Sequence, residues 1–294
     1  MGTRLSGLVL TLLVAAAGCA PGAQGPGDAP GAWQMTPPTA SARVPVASIR
    51  VVAMDALLSE LPAERLRDVS VDDPVYHRRK RYSGFPLPLV LERAFGAVAA
   101  PESWELVFRC VDGYSPSMPL SHASDLATVA LRDHDAPADR SWVEMKVGRN
   151  EVSPAPAYLV WEGDDPAQTA ARPWPYQLVG LELRPLSAAL PVADADVPAS
   201  ARRGGELFSQ ACIKCHSLNL VGGTLGPELN VPANVTEYWH PEALRRFIVN
   251  PASIRQGSRM PAFDSVSAAD LSSLLEYLRF ASQHKVALSP SSSP

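Results

Sequence analysis

Two cysteines three residues apart, with a histidine directly after the second, constrain this chain more than any other feature: Cys212-Ile213-Lys214-Cys215-His216. That spacing is the one used for covalent haem attachment. Two thiols so placed reach the two vinyl-derived positions along one haem edge, and the adjacent histidine turns beneath the iron as an axial ligand. A fold built on this motif must wrap a large flat cofactor in apolar side chains and bring a second axial ligand from elsewhere. Zinc also takes cysteine and histidine, but a structural zinc site wants four ligands. Cys110, the only other cysteine past the N-terminal segment, belongs to a different part of the chain.

The second ligand must lie downstream, and Met260 in Gly257-Ser258-Arg259-Met260-Pro261-Ala262-Phe263 is the candidate, being the only methionine after Met145. A thioether is soft and neutral, so it favours ferrous iron and raises the potential relative to a second imidazole. Pro261 stops helix formation and helps hold the loop against the haem. The rival is His240, in Trp239-His240-Pro241, although that setting also suits a helix-start residue. With His216 and Met260 filling both axial positions, iron has no place for a substrate. The expected chemistry is outer-sphere electron transfer by a carrier, with other redox proteins (cytochromes, an oxidase or a reductase complex) as partners. Residues Leu218 to Thr224 should ring the exposed haem edge where such partners dock. Lys214, Arg245, Arg246, Arg255 and Arg259 read as a solvated face that could gather into a basic patch.

Around the motif, Gly204-Gly205-Glu206-Leu207-Phe208 before Cys212 and Leu274-Leu275-Glu276-Tyr277-Leu278 near the end resemble the N- and C-terminal helices of class I cytochromes c. The resemblance covers about residues 200–283. It implies an all-α cytochrome c fold in which the two helices cross closely, Gly204 letting the backbones approach and Phe208 and Tyr277 packing in the crossing. Gly226-Pro227-Glu228-Leu229 is similar to that family's Gly-Pro-x-Leu turn, which implies that the Pro227 carbonyl accepts a hydrogen bond from the His216 ring. Such a bond would fix the ring and strengthen its donation to iron.

Upstream, the period of the apolar residues changes. Trp104, Leu106, Phe108 and Cys110 alternate as in a strand, with Cys110 turned inward as a small core residue. Ala157–Trp161 and Gln177–Leu183 read as further strands. Leu87, Val90, Leu91 and Ala94 mark a helical face between Pro86 and Gly96. Residues 187–200, rich in Ala and Pro, read as a linker. After it the pattern is helical: from Gly204, over Pro241–Val249, and over Asp270–Phe280, with Ser267 and Asp270 placed as a capping box. The expected architecture is therefore an α+β domain over 45–186, the linker 187–200, an all-α domain over 201–285, and a disordered tail over 286–294. Two domains fit a chain of 294 residues whose 29 prolines demand long irregular segments.

Residues 1–18 have the features of an export signal, with Arg4 at the start, an apolar stretch over Leu8–Val14, and small residues before Cys19. The order Ala16-Ala17-Gly18-Cys19 resembles a bacterial lipobox, which implies a lipid on Cys19 and anchorage to a membrane. A plain signal peptide cut near Ala20 is the other reading. Both put the mature chain outside the cytoplasm, on the periplasmic side, where haem attachment also takes place. Residues 19–44, without apolar period and rich in Pro, Gly and Ala, read as a disordered tether. A formal charge of -4 offers no basic face for phosphates, so nucleic acid is not an expected partner.

In the first domain, Tyr82-Ser83-Gly84-Phe85-Pro86-Leu87, Phe108-Arg109-Cys110-Val111-Asp112-Gly113-Tyr114 and Ala157-Tyr158-Leu159-Val160-Trp161 resemble the molybdopterin-binding fold of sulfite oxidases and their relatives. The resemblance implies a twisted mixed sheet. It departs from the family where the metal-ligating cysteine should stand, because no cysteine occurs between Cys19 and Tyr82, and Cys110 comes too late. Molybdopterin is accordingly not expected, and the domain reads as a cofactor-free docking module. The alternative is a haem-containing molybdoenzyme that oxidises a small substrate. The basic run His77–Arg81 reads as a solvated strand edge.

Overall fold

The computed structural model describes residues 49–147, 150–163, 165, 169, 172–186 and 197–288. The export signal, Cys19 and the tether lie outside the described residues, as do most of the linker and residues 289–294.

The first domain is built from two four-stranded sheets. One places β1 (Arg50–Ala53), β10 (Leu178–Pro185), β4 (Trp104–Cys110) and β5 (Ser117–Pro119) side by side. The other orders β2 (Arg67–Asp73), β3 (Arg78–Pro86), β6 (Ala127–Asp133) and β9 (Tyr158–Trp161), while β7 (Met145–Val147) and β8 (Asn150–Val152) form a hairpin. Among the described residues every strand pair is antiparallel, which corrects the expected mixed sheet. A parallel pair needs a long crossover, usually helical, and between these strands the chain offers few helical segments.

The central strand β4 buries Leu106, Val107, Phe108 and Cys110. Both of its faces are covered, so Val107 is buried along with the expected inward set. Helix α1 (Met54–Ser59) and helix α2 (Leu87–Phe95) close the core, the latter burying Leu87, Val90, Leu91 and Phe95. Gly96, at φ +66°, ends α2 as anticipated. The basic run is only partly a solvated edge. Arg79 and Arg81 point outward to Asp72 and Asp68. Lys80, on the opposite face of β3, is fully buried, with Nζ 2.6 Å from Asp133 and 2.8 Å from Asp135. Strand alternation forces one cation inward, and the two carboxylates compensate it.

The second domain is helical. Helix α3 (Ala199–Leu207) starts at Ala199, ahead of the expected Gly204, because packing overrides the poor helix propensity of Gly204 and Gly205. It runs into a single π turn, Phe208–Cys212. Short α4 (Val235–Tyr238) and α5 (Pro241–Val249) precede the long α6 (Ala268–Ser282), which begins at Ser267, whose Oγ accepts from Asp270 N at 3.0 Å. The Asp270 carboxylate accepts from Arg203 Nε at 2.9 Å and so ties α6 to α3.

Gly204 is the point of closest approach between those helices. A Cβ there would lie 2.5 Å from the Ser273 carbonyl carbon and 2.8 Å from Tyr277 Cβ. Phe208 and Tyr277, both buried, pack beside it with ring centroids 5.8 Å apart. Gly204→Ala should therefore lower stability by about 1–3 kcal/mol through overpacking, despite alanine's better helix propensity. Denaturant unfolding of the variant against the parent chain measures this.

Candidate haem-binding site

The motif Cys212–His216 leaves the π turn that ends α3 and closes on itself. Cys215 N and His216 N both donate to Cys212 O, at 3.0 and 2.9 Å. The chain then returns: Gly223 N donates to Ile213 O at 2.7 Å, and Gly226 N to Cys215 O at 2.7 Å. This return brings Gly226-Pro227 beneath the imidazole, where His216 Nδ1 donates to Pro227 O at 2.8 Å. A Cβ at residue 226 would lie 2.7 Å from His216 Nδ1 and 2.8 Å from Nε2, so only glycine leaves room for the ring. Burial lowers the His216 pKa and so favours the neutral ring, while the Pro227 carbonyl and Glu228 act in the opposite sense. A neutral ring donating through Nδ1 keeps the Nε2 lone pair available to a metal.

Cys212, Cys215, His216 and Met260 all line one cavity of about 450 Å³, a volume within the usual range of ligand and cofactor sites. Its walls are mostly apolar: Leu207 from α3, Phe208 from the π turn, Leu229, Phe247 and Ile248 of α5, and Leu274 and Leu278 of α6. Burial pushes the Cys212 thiol up to about 12, with Cys215 adding to the effect, and raises that of Cys215 as well. The Met260 loop is pinned by Phe263 N donating to Val249 O at 3.1 Å, and Met260 N faces Ser258 Oγ at 3.3 Å. Two thiols, a neutral imidazole, a thioether and apolar walls form a donor set and a surface that fit an iron porphyrin.

His240 does not line this cavity. It caps α5, its Nδ1 accepting from Glu242 N at 3.3 Å. Of the five basic residues, Arg255 and Arg259 reach the cavity, whereas Arg245 turns toward Ser272 and Glu242. The stretch Leu218–Thr224 is not the free rim expected of it. Leu218 is fully buried, and the first domain bonds two backbone groups of this loop: Gly222 O accepts from Arg109, and Thr224 N donates to Gly113 O. Only Leu220 and Thr224 present exposed side chains there.

Sequence reasoning missed the polar residues that shape the far side of the loop. Glu228 accepts from the backbone N–H groups of Asn219, Leu220 and Asn230. Buried Asn230 and Asn234 donate to Ala281 O and Leu278 O of α6, at 2.8 and 2.9 Å. Asparagines in a loop carry no periodic signal. The reciprocal capping pattern of Asn234 and Glu237 at the start of α4 was the one clue available.

Residues 199–278 match the family model for cytochrome c oxidase, cbb3-type, subunit III. This part of the chain is a c-type cytochrome domain. A domain of this type implies haem c and electron transfer. The chain is also 35% identical over 86 residues to cytochrome c oxidase subunit 2 of Alkalihalophilus pseudofirmus, which is 27% of this chain and 25% of that protein. The chain thus spans about a quarter of the length of the curated relative it matches. The matched family region starts with α3, at Ala199, and takes in the cytochrome motif, the Gly226-Pro227 turn, the Met260 loop and most of α6.

In the sheet domain Cys110 is buried, 7% exposed, and its thiol is pushed up to about 12 by desolvation and by Asp112. It packs as a core side chain. Among the described residues, no helix is long and apolar enough to cross a membrane.

Proposed function

We propose that this protein is a monohaem c-type cytochrome that passes single electrons in an extracytoplasmic respiratory or redox chain. The observation that carries this reading is the His216 ring, hydrogen-bonded to Pro227 O and lining one apolar cavity with Cys212, Cys215 and Met260. In this reading Cys212 and Cys215 would hold the haem as thioethers, and His216 through Nε2 and Met260 through its sulfur would be the ligands to its iron. The haem supplies an iron that changes charge by one electron. The residues around it exclude water from the cavity and keep the imidazole oriented. Were His216 and Met260 both to hold the iron, a substrate would have no place on it, which supports the role of a carrier. The oxidase subunits named by the matches support a membrane redox complex as partner.

The sheet domain is read as working without molybdopterin, which the burial of Cys110 supports. Purified holoprotein should then contain one iron per chain and no stoichiometric molybdenum by elemental analysis. A colourless chain from a host competent for haem attachment would refute the assignment.

Met260→Ala should keep the covalent haem but lower its reduction potential by on the order of 0.1 V, since axial ligands set haem potentials over about 0.8 V. It should also open the iron to carbon monoxide. Potentiometric titration and reduced-minus-CO spectra read both effects, and an unchanged potential would remove Met260 from the ligand set.

Cys19 is read as the lipidated N-terminus of the mature chain, the lipid holding it on a membrane. Several acyl chains together anchor a protein stably where one does not. Cys19→Ser should move the holoprotein from the membrane fraction to the soluble fraction, scored by haem staining after fractionation. Retention in membranes would speak for another anchor.

A further inference from the structure

The sheet domain touches the haem-attachment loop through its main chain, and one arginine organises the contact. Arg109, on β4, donates from Nε to Glu182 Oε2 at 3.0 Å, and its Nη2 reaches the same oxygen. Glu182 stands on β10 and is 4% exposed. The remaining arm, Nη1, donates to Gly222 O at 3.0 Å and to Ser115 Oγ at 3.2 Å. The turn that follows β4 adds two more links. Ser115 N donates to Lys214 O, inside the Cys212–His216 motif, at 2.7 Å, and Thr224 N donates to Gly113 O at 2.9 Å. Gly113, at φ +87°, permits this approach: a Cβ there would lie 2.5 Å from Thr224 Oγ1 and 2.7 Å from Leu225 N. Asp112 adds a looser ion pair to Arg259, next to Met260, at 3.7 Å.

We propose that the sheet domain is a clamp on the haem-attachment loop, with Arg109 as its positioning residue. Three hydrogen bonds grip main-chain atoms of residues 214, 222 and 224, so the grip fixes the path of the loop whatever its side chains. Arg109 suits this task because its planar fork serves the Glu182 carboxylate and the Gly222 carbonyl at once, where an ammonium acts as a single point charge. The inference rests on haem attachment at Cys212 and Cys215, and it gives the sheet domain a role in setting the haem potential. A loop let go from the sheet would expose more of the cofactor to water, which favours the more highly charged ferric state. Release of the loop lowers the potential.

The test compares parent holoprotein with Arg109→Lys and with the double variant Arg109→Met/Glu182→Met. The lysine keeps the ion pair with Glu182 but loses the fork, and the double variant leaves no buried charge unpaired. Amide hydrogen exchange at Ser115 and Thr224 should accelerate at least tenfold in both variants, with Val129 and Leu159 in the other sheet unchanged, and the potential should fall in both. Parent-like exchange and potential in Arg109→Lys would show Arg109 to be only a sheet ion pair and overturn the clamp. Faster exchange with an unchanged potential would overturn its action on the haem. If the double variant does not fold, Arg109→Lys alone decides. If the parent chain carries no covalent haem, the function proposed above fails, while exchange at Ser115 and Thr224 still decides whether Arg109 grips the loop.

Discussion

The return of the chain from Cys212 to Leu229 depends on hydrogen bonds from the main chain back to the motif. Gly223 N, Gly226 N and Leu229 N donate to Ile213 O, Cys215 O and Ser217 O in turn. The carbonyls they satisfy lie in the segment that follows the π turn, Ile213 to Ser217, past the end of α3. That return puts the Pro227 carbonyl at His216 Nδ1, and the missing Cβ of Gly226 gives the ring its space. Ring tautomer, cavity floor and loop path therefore follow from one local geometry.

The cavity walls have a different origin. They come from the crossing of α3 and α6, which is close because Gly204 lacks a side chain, and which brings Phe208, Leu274 and Leu278 around one space. The asparagine pair Asn230 and Asn234 then binds the loop after Pro227 to the carbonyls of α6. These bonds are buried and satisfied, the condition under which polar groups in a core specify one arrangement instead of destabilising it.

The sheet domain brings rigidity of another kind. Lys80 with Asp133 and Asp135, and Arg184 with Glu105, are charge pairs inside or at the edge of its sheets. Such pairs add little net stability, because desolvation offsets their attraction, but breaking one leaves a costly lone charge. They suit a platform whose strand register must not slip. The Arg109–Glu182 pair belongs to this group and is the member whose remaining donors face outward, onto the cytochrome domain.

Much of the site was legible in the chain alone, because its signals are local. The spacing of Cys212, Cys215 and His216, the Gly226-Pro227 turn, and a single late methionine are short strings whose geometry does not depend on distant residues. Helices α2 and α5 were legible for the same reason, from apolar period and flanking Pro or Gly. The start of α3 at Ala199, the all-antiparallel sheets, buried Lys80 and the roles of Asn230 and Asn234 were not, since each depends on a partner far away in sequence. Position 220 stays exposed while 218 is buried and 222 and 224 are bonded to the sheet domain, a division no pattern within the loop could announce. The sequence by itself determined the covalent chemistry the chain is equipped for. The tertiary structure decided what surrounds that chemistry, because burial and backbone hydrogen bonding between distant segments exist only once the chain has folded.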